Sequence, residues 1–181
     1  VLPDGKTIHL CKNDYKLISH DNSSAAFESE EHGLLLQKTY RIASPSTIET
    51  KYKLSWSGNE PIRFFTELNL SLLAGHDEKR YFLLPNGGKH LMDVKDTLAN
   101  IDKLTLVDEY FNFKLEISSD RTMNVERYPV YTVSQSESGF DLLYQGSCTI
   151  WSLPVPEGAK ELGLNFTLKF GDIKFGDSHL I

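Results

Sequence analysis

Residues 61–73 read Pro61-Ile62-Arg63-Phe64-Phe65-Thr66-Glu67-Leu68-Asn69-Leu70-Ser71-Leu72-Leu73, and this stretch sets the reading of the chain. Phe64, Leu68, Leu70 and Leu72 share one side of an extended strand, with Thr66 between them. Arg63, Glu67, Asn69 and Ser71 fall on the other side. A period of two puts the two sets on opposite faces of a sheet. The polar side is ordered as cation, acid, amide and hydroxyl. Such a row carries the donors and acceptors that hold a sugar by its hydroxyls, and it is also what a wetted sheet face looks like.

The same alternation recurs on both sides of this stretch. Ile48, Thr50, Tyr52, Leu54 and Trp56 alternate with Glu49, Lys51, Lys53 and Ser55. Before them, Leu34, Leu36, Lys38, Tyr40 and Ile42 alternate with Leu35, Gln37, Thr39 and Arg41, and Ser44-Pro45-Ser46 ends the run because proline has no amide to donate. Ser57-Gly58-Asn59-Glu60-Pro61 reads as a turn, so the strands around it are expected to form an antiparallel pair. Further on, strands are expected at 104–107, 111–117, 123–127 and 130–133, with Ser118-Ser119-Asp120 as a hairpin loop. The segment Asp93 to Ile101 reads as one irregular helix turn or a loop. A last pair spans 140–151 and 162–170, where Leu162, Leu164, Phe166, Leu168 and Phe170 keep strict alternation. Residues 171–181 read as an exposed tail or a final short strand.

No stretch holds a helical period over three turns. Many strands, some of ten residues or more, punctuated by Gly, Pro and Asn, indicate an all-β fold: a large two-sheet antiparallel β-sandwich. The 181 residues fit one domain, 1–181, able to bury about two-thirds of its unfolded surface. A 40% apolar, 11% aromatic composition is that of a globular chain. The net charge of −6 argues against nucleic acid as a partner, because phosphate binding needs a cationic surface. No apolar run of membrane-spanning length is present. The start, Val1-Leu2-Pro3-Asp4-Gly5, is not a signal peptide and lacks an initiator Met, so a chain processed or cut from something larger is expected.

Chemistry-bearing motifs are sparse. His9, His20, His32, His76, His90 and His179 are scattered, with none at metal-ligand spacing from another. Cys11 and Cys148 form no Cys-x-x-Cys and are expected to be small buried hydrophobes, whose pairing sequence leaves open. Asp93, Asp96 and Asp102 do not match a calcium-loop pattern. There is no Gly-x-Ser-x-Gly elbow and no phosphate-binding glycine loop. The sequons at Asn22, Asn69 and Asn165 are read as accidental, the last two lying inside strands. No cofactor, no metal and no catalytic residue is expected on this chain. Among aromatics, Trp56 continues a core face. Trp151, before a Ser-Leu-Pro strand end, is either core or a half-exposed ring that a sugar can stack on. The Arg127-Tyr128-Pro129-Val130-Tyr131 run places a tyrosine at a sheet rim or marks an edge strand.

The aromatic pair leading into Thr66-Glu67-Leu68-Asn69-Leu70, after Lys51-Tyr52-Lys53-Leu54-Ser55-Trp56 and before Thr149-Ile150-Trp151-Ser152-Leu153-Pro154, resembles a known family. It is similar to the C-terminal β-sandwich of glycoside hydrolase family 57 amylases and 4-α-glucanotransferases, a galactose mutarotase-like supersandwich. The likeness covers roughly residues 33–170. It implies a non-catalytic domain that packs on the catalytic barrel of the same parent chain, in the cytoplasm, and that contacts α-glucan oligosaccharide. The catalytic carboxylates of that family belong to the barrel, and the βα alternation of a barrel is missing here. On this reading Glu67 and Asn69 are the hydrogen-bonding groups, with Arg63 and Trp151 as neighbours. Two other readings stay open: a stand-alone aldose epimerase-like enzyme, which needs a histidine beside Glu67, and an interaction sandwich with no sugar role.

Overall fold

The computed structural model describes residues 7–58, 61–72, 74–136, 139–155 and 159–173, with Ser136 as backbone only. A 3-10 turn at Leu10–Lys12 precedes eleven strands: β1 (Lys16–His20), β2 (Ser24–Glu31), β3 (Leu34–Ser44), β4 (Thr47–Trp56), β5 (Arg63–Leu70), β6 (Arg80–Leu83), β7 (Lys89–Leu91), β8 (Asp96–Asp108), β9 (Phe113–Ser136), β10 (Gly139–Pro154) and β11 (Glu161–Asp172). Every pairing is antiparallel. Hydrogen bonds run in the order β1-β2-β3-β4-β11-β9-β8-β6-β7, and β10 joins β9 to β5. The expected all-β antiparallel sandwich is the fold observed.

One continuous ladder becomes two layers because β9 turns a corner. Its 24 residues would run about 80 Å if straight, roughly twice the width of a compact chain of this length. The first part, Phe113–Ser119, pairs with β11. The second, Asn124–Ser136, pairs with β10. β8 turns with it: Lys103–Asp108 pairs with the first part and Asp96–Leu98 with the second. Register shifts between Leu98, Ile101 and Lys103 mark the corner, where Asn100 takes a φ of +55°. Such shifts bend a strand and let it change sheets. At the bend, Asp120 Oδ1 accepts from the Asn165 amide at 2.9 Å, and its Oδ2 accepts from Asn165 Nδ2 at 2.6 Å. The hairpin loop expected at Ser118-Ser119-Asp120 is therefore a bend within one strand. The irregular segment expected at 93–101 holds the start of β8.

Two expected pairings are replaced by facing contacts. β4 pairs with β3 and β11, whereas β5 pairs with β10. The two strands lie in opposite layers: the Tyr52 ring packs 5.5 Å from Phe64, and the Tyr52 hydroxyl shares a 3.1 Å hydrogen bond with Thr66 Oγ1. Likewise β10 and β11 face each other, with Trp151 edge-on to Phe166 at 5.4 Å and 88°. Alternation identified the apolar faces correctly, but an apolar face is satisfied by a neighbour across the core as well as by one alongside. Leu104, Ile117, Val125, Phe82 and Leu164 are fully buried between the layers. The proline of β9, Pro129, lies beyond the end of the β8 ladder, the edge position where a missing amide costs nothing. β11 ends the described tail at Asp172; positions 174–181, including His179, and the turn residues 59 and 60 lie outside the described residues, as do Val1 to Gly5.

A buried cation crosses this core. Arg127 of β9 is 0% exposed. Its Nη2 and Nε donate to Asp96 of β8 at 2.8 and 3.3 Å, and Nη1 donates to the Leu91 carbonyl at 3.1 Å. The guanidinium also lies 4.5 Å above the Phe82 ring. His90 Nδ1 hydrogen-bonds the same Asp96 carboxylate. Burial pushes the Asp96 carboxyl up, but the hydrogen bonds and charges of Arg127 and His90 outweigh it and hold it below its ordinary value. The group ties β6, β7 and β8 to β9.

Arg127→Ala strands a carboxylate in this site, and the expected loss is about 3–5 kcal/mol in urea unfolding; a loss below about 1 kcal/mol, the size of an exposed pair, would contradict the burial. The lowered Asp96 value gives the pH sign. Its stabilisation is present above about pH 4, the unfolded carboxylate value, and is lost as pH falls through the folded value. Unfolding free energies measured on the acid side should fall more steeply for the wild type than for Asp96→Asn.

Candidate functional site

The outward face of β5 carries Arg63, Phe65, Glu67 and Asn69 in one row, all exposed. Register fixes what lies beside them. Phe65 pairs with Ser152, Glu67 with Ile150 and Asn69 with Cys148 of β10. Cys148 pairs in turn with Tyr128 of β9, and Ile150 with Glu126. The row expected from the sequence therefore extends across three strands.

Its polar groups are linked. Asn69 Nδ2 donates to Glu67 Oε1 at 2.7 Å. Cys148, buried, stands by register between Asn69 of β5 and Tyr128 of β9, with Glu67 nearby. Burial first, then the Glu67 charge, push the Cys148 thiol up, so it stays protonated. The Tyr128 hydroxyl is pushed up to about 12, through its hydrogen bond to Cys148, then burial and the nearby charges of Glu67 and Glu126. Held by Asn69, the Glu67 carboxylate is oriented before any ligand arrives.

Beside this row a cleft of about 650 Å³ opens along β5, the strand that pairs only with β10 among the described residues. Leu36, Tyr52 and Phe64 line its apolar floor, the segment with Ile8 and Tyr15 covers it, and Arg63, Glu67 and Asn69 stand on its lining. An apolar recess with a few polar groups on its wall is the usual form of a small-molecule site. Lys38 Nζ sits 4.3 Å above the Tyr15 ring at this cover.

Several expectations need correction. Trp151 is 0% exposed; its Nε1 donates to Thr149 Oγ1 at 3.3 Å and its ring packs on Phe166, so it has no face to offer a ligand. It faces the core with its register partner on β5, the inward Thr66. Cys148 is buried as expected, but on the outer side of the sheet, beside Asn69 and Tyr128. Cys11 is exposed, and both thiols are free. Phe65, 40% exposed between Arg63 and Glu67, is the aromatic that sequence reasoning passed over; its place two residues from each was the available signal. The histidines read as loop residues include three with carboxylate partners: His76 Nδ1 lies 3.0 Å from Asp93 Oδ2, His32 Nε2 lies 3.5 Å from Glu31 Oε1, and His90 joins Asp96. Those contacts occupy two of the three aspartates considered for calcium. Among the described residues no group of three or more His, Cys, Asp or Glu side chains is placed to hold a metal. Among the described residues, Asn69 supplies the side-chain hydrogen bond to Glu67, and no histidine pairs with it.

The raised Tyr128 value predicts an ultraviolet titration in which one tyrosine ionises near pH 12, after the exposed ones. Tyr128→Phe removes that step, and Cys148→Ala moves it down toward the ordinary value near 10. A folded value above the unfolded one means the stabilisation is full below about pH 10 and is lost as pH rises through the folded value. A Cys148→Ala titration identical to the wild type would contradict the hydrogen-bonded row.

Comparison with known proteins places this geometry. The sequence pattern described as alpha-amylase/4-alpha-glucanotransferase, C-terminal, matches residues 6–166. Alpha-amylase 1 of Dictyoglomus thermophilum is 29% identical over 152 residues, covering 81% of this chain and 22% of that protein. The chain thus spans about a fifth of the length of such relatives. Among solved structures, the 4-alpha-glucanotransferase of Thermococcus litoralis aligns with a TM-score of 0.58 at 21% identity, over 88% of this chain and 22% of that one. The GalM/aldose epimerase homologue of C. elegans aligns with a TM-score of 0.64 at 8% identity, over 90% and 70%. These two likenesses show the fold, which is galactose mutarotase-like. With almost nine-tenths of its length inside the matched pattern, the chain belongs to the family of C-terminal domains of alpha-amylases and 4-alpha-glucanotransferases.

Proposed function

We propose that this chain is one β-sandwich domain, 1–181, of a longer α-glucan-acting hydrolase or transferase, that it supports the catalytic part, and that it contacts carbohydrate through β5. The observation that carries the first part is the family match over residues 6–166 together with coverage of only 22% of a relative's length. The contact surface rests on the row of Arg63, Phe65, Glu67 and Asn69. A pyranose has an apolar C–H face that stacks on a ring such as Phe65, and a rim of hydroxyls that pair with a carboxylate and an amide. Two acceptors and a donor held in place beside an aromatic is a low-entropy arrangement for such a ligand. A cytoplasmic location goes with this reading through the family resemblance. No helix among the described residues is long and apolar enough to cross a membrane.

The fold likeness to an aldose epimerase homologue favours a second reading, a sugar-ring enzyme on the same scaffold. That chemistry asks for a base and an acid at the ring. Among the described residues the side-chain hydrogen bond to Glu67 comes from the Asn69 amide, which orients a carboxylate rather than exchanging protons with it.

Titration with maltoheptaose, followed by backbone amide shifts, tests the contact surface. The expected shifts centre on Phe65, Glu67 and Asn69, and Phe65→Ala or Asn69→Ala each weakens binding by about 1–2 kcal/mol, roughly tenfold. Absence of shifts at millimolar sugar would remove the carbohydrate contact and leave support alone.

A further inference from the structure

The far ends of β9 and β10 leave the sandwich as a two-stranded ribbon. The β8 ladder on β9 ends at Asp96 with Arg127, and the β5 ladder on β10 ends at Leu70 with Ser147. Beyond them, Val130 to Ser136 pairs only with Gly139 to Gly146 among the described residues. Register sorts its side chains. Tyr131 stands opposite Tyr144, Val133 opposite Leu142 and Gln135 opposite Phe140, all on one face. The other face carries Thr132, Ser134 and Asp141, with Leu143.

The apolar face continues the core side of the sheet. Tyr131 follows Val125 and Arg127 at even spacing, and the Tyr144 hydroxyl bonds Ser147 Oγ, which donates to the Met92 carbonyl. A shift of register between Tyr144 and Gly146 keeps both strands in phase. The Tyr131 and Tyr144 rings meet edge to face at 6.1 Å. Further out the face opens to solvent: Val133 is 65%, Leu142 67% and Phe140 75% exposed. A two-stranded ribbon is marginal in water by itself. Contiguous exposed apolar surface of this kind marks a contact site, and the ribbon lacks the lysines that usually guard a free edge.

We propose that this face docks on the part of the parent enzyme that lies outside residues 1–181, through an apolar surface there. The inference rests on the reading of the chain as one domain of a longer enzyme. That reading supplies the occupant: a chain spanning 22% of a relative leaves about four-fifths of such a protein to be packed against. An apolar face of Tyr131, Val133, Leu142 and Phe140, with Thr132, Ser134 and Asp141 beside Val130 and Leu143 on the reverse, has the composition of a contact between domains.

The test uses the protein made from its own complete gene, with a photoreactive benzoylphenylalanine in place of Leu142 and, in a second variant, of Thr132 on the opposite face. The expected result is cross-linked peptide pairs within one chain, joining position 142 to sequence outside residues 1–181, and their loss when the probe is at 132. Cross-links joining two copies, cross-links confined to residues 1–181, or none at position 142 would overturn the assignment. Intact mass separates this from the reading beneath it. A purified product of 20.5 kDa would remove the longer enzyme itself, whereas a larger mass with no such cross-link would overturn only the ribbon's role.

Discussion

Arg127 is a full cation buried between two sheets, and the architecture is arranged so that it can be there. An isolated guanidinium in that core would cost several kcal/mol. Asp96, the Leu91 carbonyl and the face of Phe82 answer its charge and donors from three other strands. Asp96 reaches it only because β8 turns the corner alongside β9, so that the two residues stand in register past the bend. The bend, in turn, is what divides a single ladder into the two layers that bury Trp151 and Ile117. Corner, ion pair and core thus depend on one another.

The local character of the chain was legible because strands with one buried face must alternate. The faces of β3, β4, β5 and β11 follow from that pattern alone. Neighbours were not legible. Tyr52 and Phe64 contact each other across the core, and nothing in their alternation separates that contact from one between adjacent strands. The corner was missed for a related reason: Ser118-Ser119-Asp120 has the composition of a loop, and only the long-range bonds of Asp120 to Asn165 reveal a bend in a continuous strand. The Arg127–Asp96 pair spans residues far apart in sequence, beyond the reach of any local period.

The candidate site was half legible. Arg63, Glu67 and Asn69 were identified by parity, and they do share an exposed face. Asn69 holds Glu67 from the same strand, two residues on, whereas the neighbours Cys148 of β10 and Tyr128 of β9 are brought in only by register. Trp151 shows the opposite limit. Its place near a strand end suggested a rim, but it faces the core with its register partner Thr66, on another strand. The same sheet that aims Trp151 inward aims Phe65 outward, so the aromatic needed beside the polar row is supplied one strand over.

These features describe a scaffold that presents one organised polar row, Arg63, Glu67 and Asn69 beside Phe65, along the strand β5. The most direct test compares the 181-residue chain with the protein made from its complete gene, both assayed for maltoheptaose turnover and for mutarotation of α-D-glucose. The account predicts glucan turnover by the complete protein and neither activity in the isolated chain. Turnover of either sugar by the isolated chain would contradict it.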